Sequence, residues 1–558
     1  MRILLVFSWL IISLLFSTTS SRAEETADMA IKESEQRLEK LERHIEALDR
    51  RLQASEQENA RLRAEKPAIV PTSSQPDIKA LDQKVKALEQ RVAVEQETSA
   101  ELAKRAPTTP QPDIKALDQK VKELEQRVEV QQETATELAK RAPKFEAGRS
   151  GLQFSSADGA NFLKLRGSVQ TDAKFFIDDK DRDKNPIEGS NLTNKFLLRQ
   201  ARLRLDGRLF KYYDFKIMPD FGGSSVRLND AYIDAHYFSF ASLNIGKQKA
   251  PVILERLQSN DSLTFLERAY PTFLAPNRDV GIMFHGEFAR PGYKTEYGGP
   301  VDFKNLVSYQ LGAFNGAGDN GFSNNTDIDD DKEFIGRIWA HPFQYSGLSP
   351  LEGFGIGVSG TWEHPKENSL SNLPSPNGQN TIVDYSKRVA GTTSLTADGD
   401  HSRVSPQAYW YYGPFGLLGE YVVSSQELLA KKGAQGTGFR QENEAWHVQA
   451  SYVVTGENNT FQSVSPRNNF DPRNGGWGAL QLAARWTELD IDDDTFAFLD
   501  PNKSVNHAST WTVGANWFLN KAMRFTANYE ETSFDGGAAG GGDRQTEKIF
   551  STRFQLSF

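Results

Sequence analysis

The chain has 558 residues and no cysteine, 38% of its residues are hydrophobic and 11% aromatic, and its formal net charge is -9 at pH 7. The length allows two or more domains, the acidic balance argues against nucleic-acid binding, and the absence of cysteine excludes disulfides and thiolate metal sites. The mean hydropathy is -0.56, but a low value does not exclude a transmembrane barrel, because half of each barrel strand is polar.

The N-terminus has the features of an export signal. Arg2 precedes an apolar run over residues 3–16, and the small-residue motif at 21–23 follows it. A charged start, an apolar centre and a small-residue cleavage site are typical of a secretory signal peptide. We therefore predict a signal peptide over residues 1–23, with the mature protein beginning at Glu24.

The segment 24–143 is predicted to be an α-helical coiled coil. Apolar residues recur every seven positions in its first part, at Ile31, Leu38, Ile45 and Leu52. The remainder is an internal repeat, because residues 76–111 are nearly duplicated from residue 112 onward. A heptad seam cannot bury itself in one chain, so the pattern favours self-association as a dimer or a trimer over a solvated single helix.

The segment 162–558 has a period of two. In residues 198–209, Leu203 and Leu205 take one face of the strand while Arg202 and Arg204 take the other. The same alternation recurs at 162–177, 226–237, 243–249 and 550–558. Such a series in an exported chain favours an all-β transmembrane barrel of antiparallel strands in the outer membrane, with apolar side chains towards lipid and charged side chains towards a water-filled lumen.

The connections between these strands differ in length and composition. The segment 144–161 is predicted to be a linker that precedes the barrel. Long polar segments at 316–333, 363–403 and 455–477 are predicted to be external loops, with short turns at the periplasmic end. Residues 250–279 contain three prolines and lack alternation, and an irregular segment of this length in a barrel is usually functional.

Several long runs resemble one protein family. They are LRQARLRLDGRLFKYYDFKIMPDFGG at 198–223, the segment 246–282 that begins GKQKAPVILERL, WTVGANWFLNKAMRFTANYE at 511–530 and the closing STRFQLSF. The chain resembles the phosphate-selective porin O/P family over roughly three quarters of its length. The resemblance implies a barrel of about 16 strands, a homotrimer, an N-terminus in the periplasm and a loop near 250–279 folded into the lumen as a constriction.

Arginine and lysine side chains are the candidates for binding anions in this lumen. The planar guanidinium group offers paired donors and stays charged, and a row of such groups would pass an anion along the pore. The candidate pore-lining residues are Arg166, Arg202, Arg204, Arg208, Arg337, Arg485, Arg524 and Arg553. The candidate constriction residues are Lys247, Lys249, Arg256, Arg268 and Arg278.

Three functions from different classes are compatible with this sequence. The first is a channel for the passive diffusion of small inorganic anions, with phosphate preferred. Its alternative is a general-diffusion porin, because acidic residues such as Asp206 and Asp214 lie near the arginines and can compensate their charge. The second is an envelope tether, in which the periplasmic coiled coil contacts peptidoglycan or another envelope component. The third is a trimeric surface adhesin, although such a barrel uses only a short segment from each chain.

No enzyme, cofactor or metal site is predicted, since the chain lacks HExxH, GxSxG and a Gly-rich loop between a strand and a helix. His236 and His285 are expected to be lumen or rim residues, and the acidic run at 327–331 lacks the spacing of an EF-hand. The expected partners are other copies of the chain, most simply in a trimer, outer-membrane lipid and lipopolysaccharide, and small anions.

Overall fold

The computed structural model describes residues 143–148, 151–177, 192–288, 306–322, 330–344 and 346–558. The predicted signal peptide and nearly all of the predicted coiled coil lie outside the described residues. Both therefore stay predictions.

The described chain is built almost wholly of antiparallel strands. They are β1 (Lys144–Gly148), β2 (Gly151–Ser155), β3 (Phe162–Ile177), β4 (Lys195–Leu209), β5 (Tyr213–Asp220), β6 (Arg227–Phe238), β7 (Ala241–Lys249), β8 (Arg278–Phe288), β9 (Val307–Phe314), β10 (Glu333–Ala340), β11 (Phe354–Glu363), β12 (Asn368–Ser369), β13 (Leu373–Pro374), β14 (Thr381–Val383), β15 (Ser394–Tyr412), β16 (Phe415–Lys432), β17 (Gln435–Val453), β18 (Ala479–Asp490), β19 (Val505–Phe518), β20 (Met523–Gly536) and β21 (Glu547–Ser557). Sixteen of them, β3–β11 and β15–β21, form a closed barrel, because β21 pairs with β3 from Lys548 opposite Ile177 to Ser557 opposite Ser168. The predicted fold class of the barrel is confirmed.

Helical structure in the described residues is limited to short pieces in the connections. They are α1 (Leu254–Leu257) and the 3-10 helices Asn260–Ser262, Tyr270–Leu274, Ser349–Leu351, Asp493–Ala497 and Ala539–Gly541. Within the described ranges, none of the helices combines the length and the apolar character needed to cross a bilayer.

Side-chain alternation along the strands separates a lipid-facing surface from a lumen-facing surface. On β4, Leu203 and Leu209 are 40% and 46% exposed on the outside. On β21, Phe550 and Phe554 point outward, while Arg553 is buried inside. Exposed apolar side chains on one face and polar side chains within are what a barrel in lipid requires.

The barrel closes at the C-terminus of the chain. The Gly167 N–H donates to the carbonyl of Phe558 (2.8 Å), and the Phe558 N–H donates to the carbonyl of Gly167 (2.9 Å). The Phe558 ring lies where a side chain at position 167 would stand, with ring atoms 2.4 Å from an ideal Cβ. Glycine at position 167 therefore makes room for the terminal ring at the seam between β3 and β21.

The segment 144–161 is more ordered than the predicted linker. It contains the hairpin β1–β2, and β2 extends the sheet by pairing with β3, as Leu152 does with Leu165. The rings of Phe145 and Phe154 pack across the hairpin with centroids 4.8 Å apart. Each strand has five residues, too few for the period of two to stand out beside the glycines.

Long and short connections are not segregated to opposite ends of the barrel, contrary to what the sequence predicted. Successive connections alternate between the ends, so the long segment 454–478 lies at the same end as the short turns 210–212 and 413–414. The backbone N–H of Asn459 in this long segment donates to the carbonyl of Gly413 in the short turn (2.7 Å), which shows that the two connections are neighbours. The prediction that 455–477 shares an end with the loop at 316–333 is wrong, because loop length does not determine the side on which a loop falls.

Two connections fold into the lumen. The first, residues 250–277, is called the infolded loop below; the second, residues 364–393, is called the second infolded loop. They form one apolar core inside the barrel from Ile253, Tyr270, Leu274, Leu373, Ile382 and Val383. The predicted external loop at 363–403 is corrected on two points: β15 already begins at Ser394, and part of the loop is buried.

Candidate functional site

The infolded loop lies against one side of the barrel. The N–H of Leu254 donates to the carboxylate of Glu420 (2.6 Å) on β16. The N–H of Leu266 donates to the side-chain oxygen of Asn528 (3.1 Å) on β20. These contacts hold the loop against β16–β20. The loop also reaches β4, where Arg199 donates to Glu267 and Gln200 to Asp261. The wall formed by β3–β8 is called the open wall below, because it carries the more exposed arginines, such as Arg166.

Four of the predicted pore-lining arginines are buried beside or beneath this loop. They are Arg337, Arg485, Arg524 and Arg553. Three of them donate to loop carbonyls: Arg485 to Glu267 (2.8 Å), Arg524 to Leu263 (2.8 Å) and Arg553 to Leu266 (2.7 Å). In the structure these guanidinium groups hold the loop against the wall, because their donors point to its backbone.

The other four predicted pore-lining arginines lie on the open wall, and each has a carboxylate partner. The pairs are Arg166 with Asp206 (2.5 Å), Arg202 with Asp220 (2.7 Å), Arg204 with Asp261, and Arg208 with Asp214 (2.6 Å). The Arg166 side chain keeps 35% exposure, so it remains reachable from the lumen. Pairing reduces the net charge of this row without removing its hydrogen-bond donors.

A fifth arginine on the open wall, Arg199, is absent from the sequence prediction. It occupies the apolar phase of the strand, but a register shift opposite Gln170 and Thr171 inserts one extra residue in β4. This bulge turns Arg199 inward, where it donates to both carboxylate oxygens of Glu267 (2.6 and 2.8 Å). The one signal in the sequence is a charged residue at an otherwise apolar position.

A group of four cations, called the cation cluster, lies where β7 and β8 meet the infolded loop. It consists of Lys249, Arg256, Arg268 and Arg278. Lys249 Nζ and an Arg268 Nη atom both donate to the carbonyl of Gln258, at 3.0 and 2.9 Å. Lys249 and Arg278 are also cross-strand neighbours, so three positive side chains converge at this point.

Most of the cation cluster is satisfied by neutral groups. Arg256 donates to the carbonyl of Thr272 (2.8 Å). Only Arg278 has a carboxylate partner, Asp230 at 2.7 Å; across the described ranges the other three cluster members form no ion pair. Carbonyl groups satisfy the donors but leave the positive charge, and charge in a narrow lumen with apolar walls acts strongly on passing ions.

Arg268 of the cation cluster keeps its positive charge at neutral pH. Arg268 lies in the infolded loop, outside the membrane-spanning strands. Burial lowers the pKa of its guanidinium to about 10, with the nearby Glu255 opposing the change.

The remaining predicted constriction residue, Lys247, lies on β7 opposite Val280. Lys247 and Lys249 are thus strand residues at the base of the loop, and Arg278 is the first residue of β8.

The second infolded loop reaches the wall at β3 and β20. The Asn377 N–H donates to Glu530 (2.7 Å), and its carbonyl accepts from Lys174 Nζ (2.5 Å). Sequence reasoning missed this contact, since polar loop composition gave no sign that residues 373–383 are buried. The lumen is therefore narrowed by two loops.

The chain is similar to known porins and outer-membrane channels. A family model described as phosphate-selective porin O and P matches residues 169–558. The chain is 23% identical to Porin O of Pseudomonas aeruginosa over 437 residues, which covers 74% of this chain and 91% of that protein. Among solved structures, the outer membrane channel DcaP of Acinetobacter baumannii matches with a TM-score of 0.45 and 14% identity over 73% of this chain and 100% of that one. An anion-selective porin from Comamonas acidovorans matches with a TM-score of 0.38 and 12% identity over 71% and 100%.

Proposed function

Because the chain belongs to the phosphate-selective porin O and P family, we propose that it is an outer-membrane channel for the passive diffusion of small inorganic anions, with phosphate as the preferred class. Solutes pass through the lumen along the wall formed by β3–β8. The infolded loop acts as the constriction, and the cation cluster at its base sets the sign of the selectivity.

The cation cluster is the observation that carries this proposal. Lys249 and Arg268 share one carbonyl oxygen, that of Gln258, so two positive charges are held close together without a carboxylate between them. Like charges repel, and their proximity raises the potential felt by an anion at the constriction. A phosphate ion that enters the constriction reduces the repulsion between Lys249 and Arg268, whereas a cation would increase it.

The arginine row on β4 is proposed as the approach to the cluster. Arg202, Arg204 and Arg208 alternate along one face and stay hydrogen-bonded to carboxylates. A pore lined by such pairs binds anions weakly, because each pair must open in part to accept an oxyanion. Weak binding at several sites suits conduction better than one tight site.

The same pairs support a second candidate, a general-diffusion porin for small anionic or uncharged solutes. If the carboxylates cancel the field of the row, the pore has no strong preference for ion sign. The two candidates differ in one measurable quantity, the reversal potential of the channel in a salt gradient.

The test is a planar-bilayer recording of the full-length protein. We expect an anion-selective reversal potential in a potassium chloride gradient and a decrease in chloride current when phosphate is added. The double variant K249Q/R268Q should move the permeability ratio towards unity and weaken the phosphate effect, because it removes two of the three cluster cations that lack a carboxylate partner within the described ranges. R440Q, at an exposed pair with Glu427, is the control and should behave like the wild type.

A wild-type channel without anion preference would favour the general-diffusion candidate. Unchanged selectivity in K249Q/R268Q would remove the cluster from the mechanism. The same recording on R202A/R204A tests whether the arginine row on β4 contributes to anion selectivity. An unchanged chloride preference and phosphate effect would exclude these two arginines from the mechanism.

We also propose that residues 24–143 form a periplasmic coiled coil that trimerises the chain and tethers the barrel to peptidoglycan or another envelope component. The support is the heptad pattern and the 16-stranded barrel, in which an even number of strands puts both ends of the barrel segment on one side of the membrane. A surface adhesin with an external coiled coil is the alternative outcome.

A further inference from the structure

Three buried side chains that could bind a metal meet where the infolded loop contacts β16 and β17. Glu255 comes from α1, Glu420 from β16 and His447 from β17. Glu420 and His447 are directly opposite in the strand register, so both point into the barrel towards α1. One oxygen or nitrogen atom from each of the three residues lies within 4.8 Å of the others.

His447 is the residue that ordinary packing does not explain. It is 2% exposed, and neither ring nitrogen forms a hydrogen bond to any described residue. Its Nδ1 lies 3.6 Å from Oε1 of Glu420, which is too long for a hydrogen bond. A buried imidazole normally donates from one nitrogen and accepts at the other, so this ring is aimed at the carboxylates without bonding to them.

In the described residues, direct ion pairs with lysine or arginine compensate only part of the negative charge of the two carboxylates. Glu420 accepts the N–H groups of Leu254 (2.6 Å) and Glu255 (3.2 Å). The Glu255 carboxylate lies 3.6 Å from Arg485, which is itself 3.3 Å from Glu530. One guanidinium is thus shared by two carboxylates, and Glu420 has no ion pair with lysine or arginine in the described part of the chain. Buried carboxylates are costly unless a cation or a proton compensates them.

The donor set selects the class of ion. Zn²⁺ binds both imidazole nitrogen and carboxylate oxygen, and a zinc site with three protein ligands holds water in its fourth position. Magnesium and calcium prefer oxygen alone, whereas imidazole suits zinc, iron, nickel and copper. Ligand atoms around tetrahedral zinc stand roughly 3.4 Å apart, so the present spacing closes by movements of about 1 Å.

The geometry points to a divalent transition-metal site, with Zn²⁺ as its best fit, formed by Glu255, Glu420 and His447. The ion would join the infolded loop to two barrel strands that lie far from it in the chain. Because Glu255 and the cluster member Arg256 are adjacent on α1, the metal would hold the position of the constriction. The existence of the site does not depend on the proposed function.

The test is metal binding by the purified full-length protein in detergent. After equilibration with Zn²⁺ and removal of free ion, elemental analysis should give one zinc per chain. H447Q should lose this zinc, since it removes the only nitrogen ligand. H507Q should retain it, because His507 also contacts a carboxylate, Asp490 at 2.6 Å, but lies outside the three-residue group. Retention of the heat-modifiable mobility of the barrel shows that each variant is folded.

The proposal is overturned if the wild type binds no zinc or if H447Q keeps its zinc. If H447Q does not fold, X-ray absorption of the wild type loaded with Co²⁺ decides instead. One imidazole and carboxylate oxygens around cobalt support the site, whereas a shell without imidazole overturns it. A proton shared by Glu255 and Glu420 is the alternative, and in that case no metal is taken up.

Discussion

Individual arginines in this barrel have two different environments. Arg553 is buried and donates to both oxygens of Asp172 (2.7 and 2.8 Å) as well as to the loop carbonyl of Leu266. Arg440 makes a similar contact with Glu427 (2.7 Å), but its side chain is 53% exposed. The partner of a buried arginine cannot be rehydrated when the arginine is removed, whereas the partner of an exposed arginine can.

We expect R553M to lower the free energy of unfolding by about 3–5 kcal/mol, because it leaves Asp172 buried and charged. The matched variant R440M should cost at most about 1 kcal/mol. Urea titration of the barrel folded into lipid vesicles, followed by tryptophan fluorescence, measures both values.

The double variant D172N/R553M tests the cause. Removing the charge of Asp172 should recover part of the loss, since no unpaired carboxylate then remains. If R553M and R440M cost the same, the ion pair at Arg553 does not stabilise the seam between β3 and β21 in the way argued.

At the scale of elements, the two infolded loops divide the lumen between them. The infolded loop occupies the side formed by β16–β20, and the second infolded loop adds Leu373, Ile382 and Val383 to the same apolar core. The cation cluster is built on β7, β8 and the infolded loop. The second infolded loop therefore narrows the lumen without contributing a residue to the cation cluster.

Replacing residues 373–383 with a short Gly-Ser linker should raise the single-channel conductance, because the tip of the second infolded loop is removed from the lumen. The reversal potential should stay close to the wild-type value, since the cation cluster remains. Shortening the turn at 471–476, at the opposite end of the barrel, is the control and should change neither quantity. An unchanged conductance in the first variant would mean that the second infolded loop does not narrow the path.

At the scale of the whole molecule, the barrel and the N-terminal region make separable contributions. The barrel closes through its own terminal strand, with Phe558 hydrogen-bonded to Gly167. The described residues of that closure lie in β3, in β21 and at Phe558. The channel should therefore form without the predicted coiled coil.

Deleting residues 24–141, with the signal peptide kept, should leave the conductance of the reconstituted channel unchanged. The same deletion should reduce the trimer fraction in detergent and loosen the attachment of the outer membrane to the cell wall. Crosslinking and envelope fractionation measure these two effects. Lost conductance with unchanged attachment would exclude the tether, and protease cleavage of this region from outside intact cells would support the adhesin.

The sequence by itself determined the barrel and the inner and outer face of most strands. Leu203 and Arg204 must point to opposite sides, because successive side chains alternate along any extended backbone. The limits of β3 at residues 162 and 177 also follow from this local rule. The alternation rule did not predict the short hairpin β1–β2 or the bulge at Arg199, because each interrupts the period of two within a few residues.

Only the tertiary structure decided which arginines face water. Arg204 and Arg485 have the same local pattern, yet the Arg204 side chain is 15% exposed and the Arg485 side chain is fully buried beneath the infolded loop. Glu255 and Glu420 stand 165 residues apart and meet only because the loop folds inward onto β16. Side-chain alternation is set by the backbone of each strand, whereas the position of a loop depends on contacts between distant segments, which no local period records.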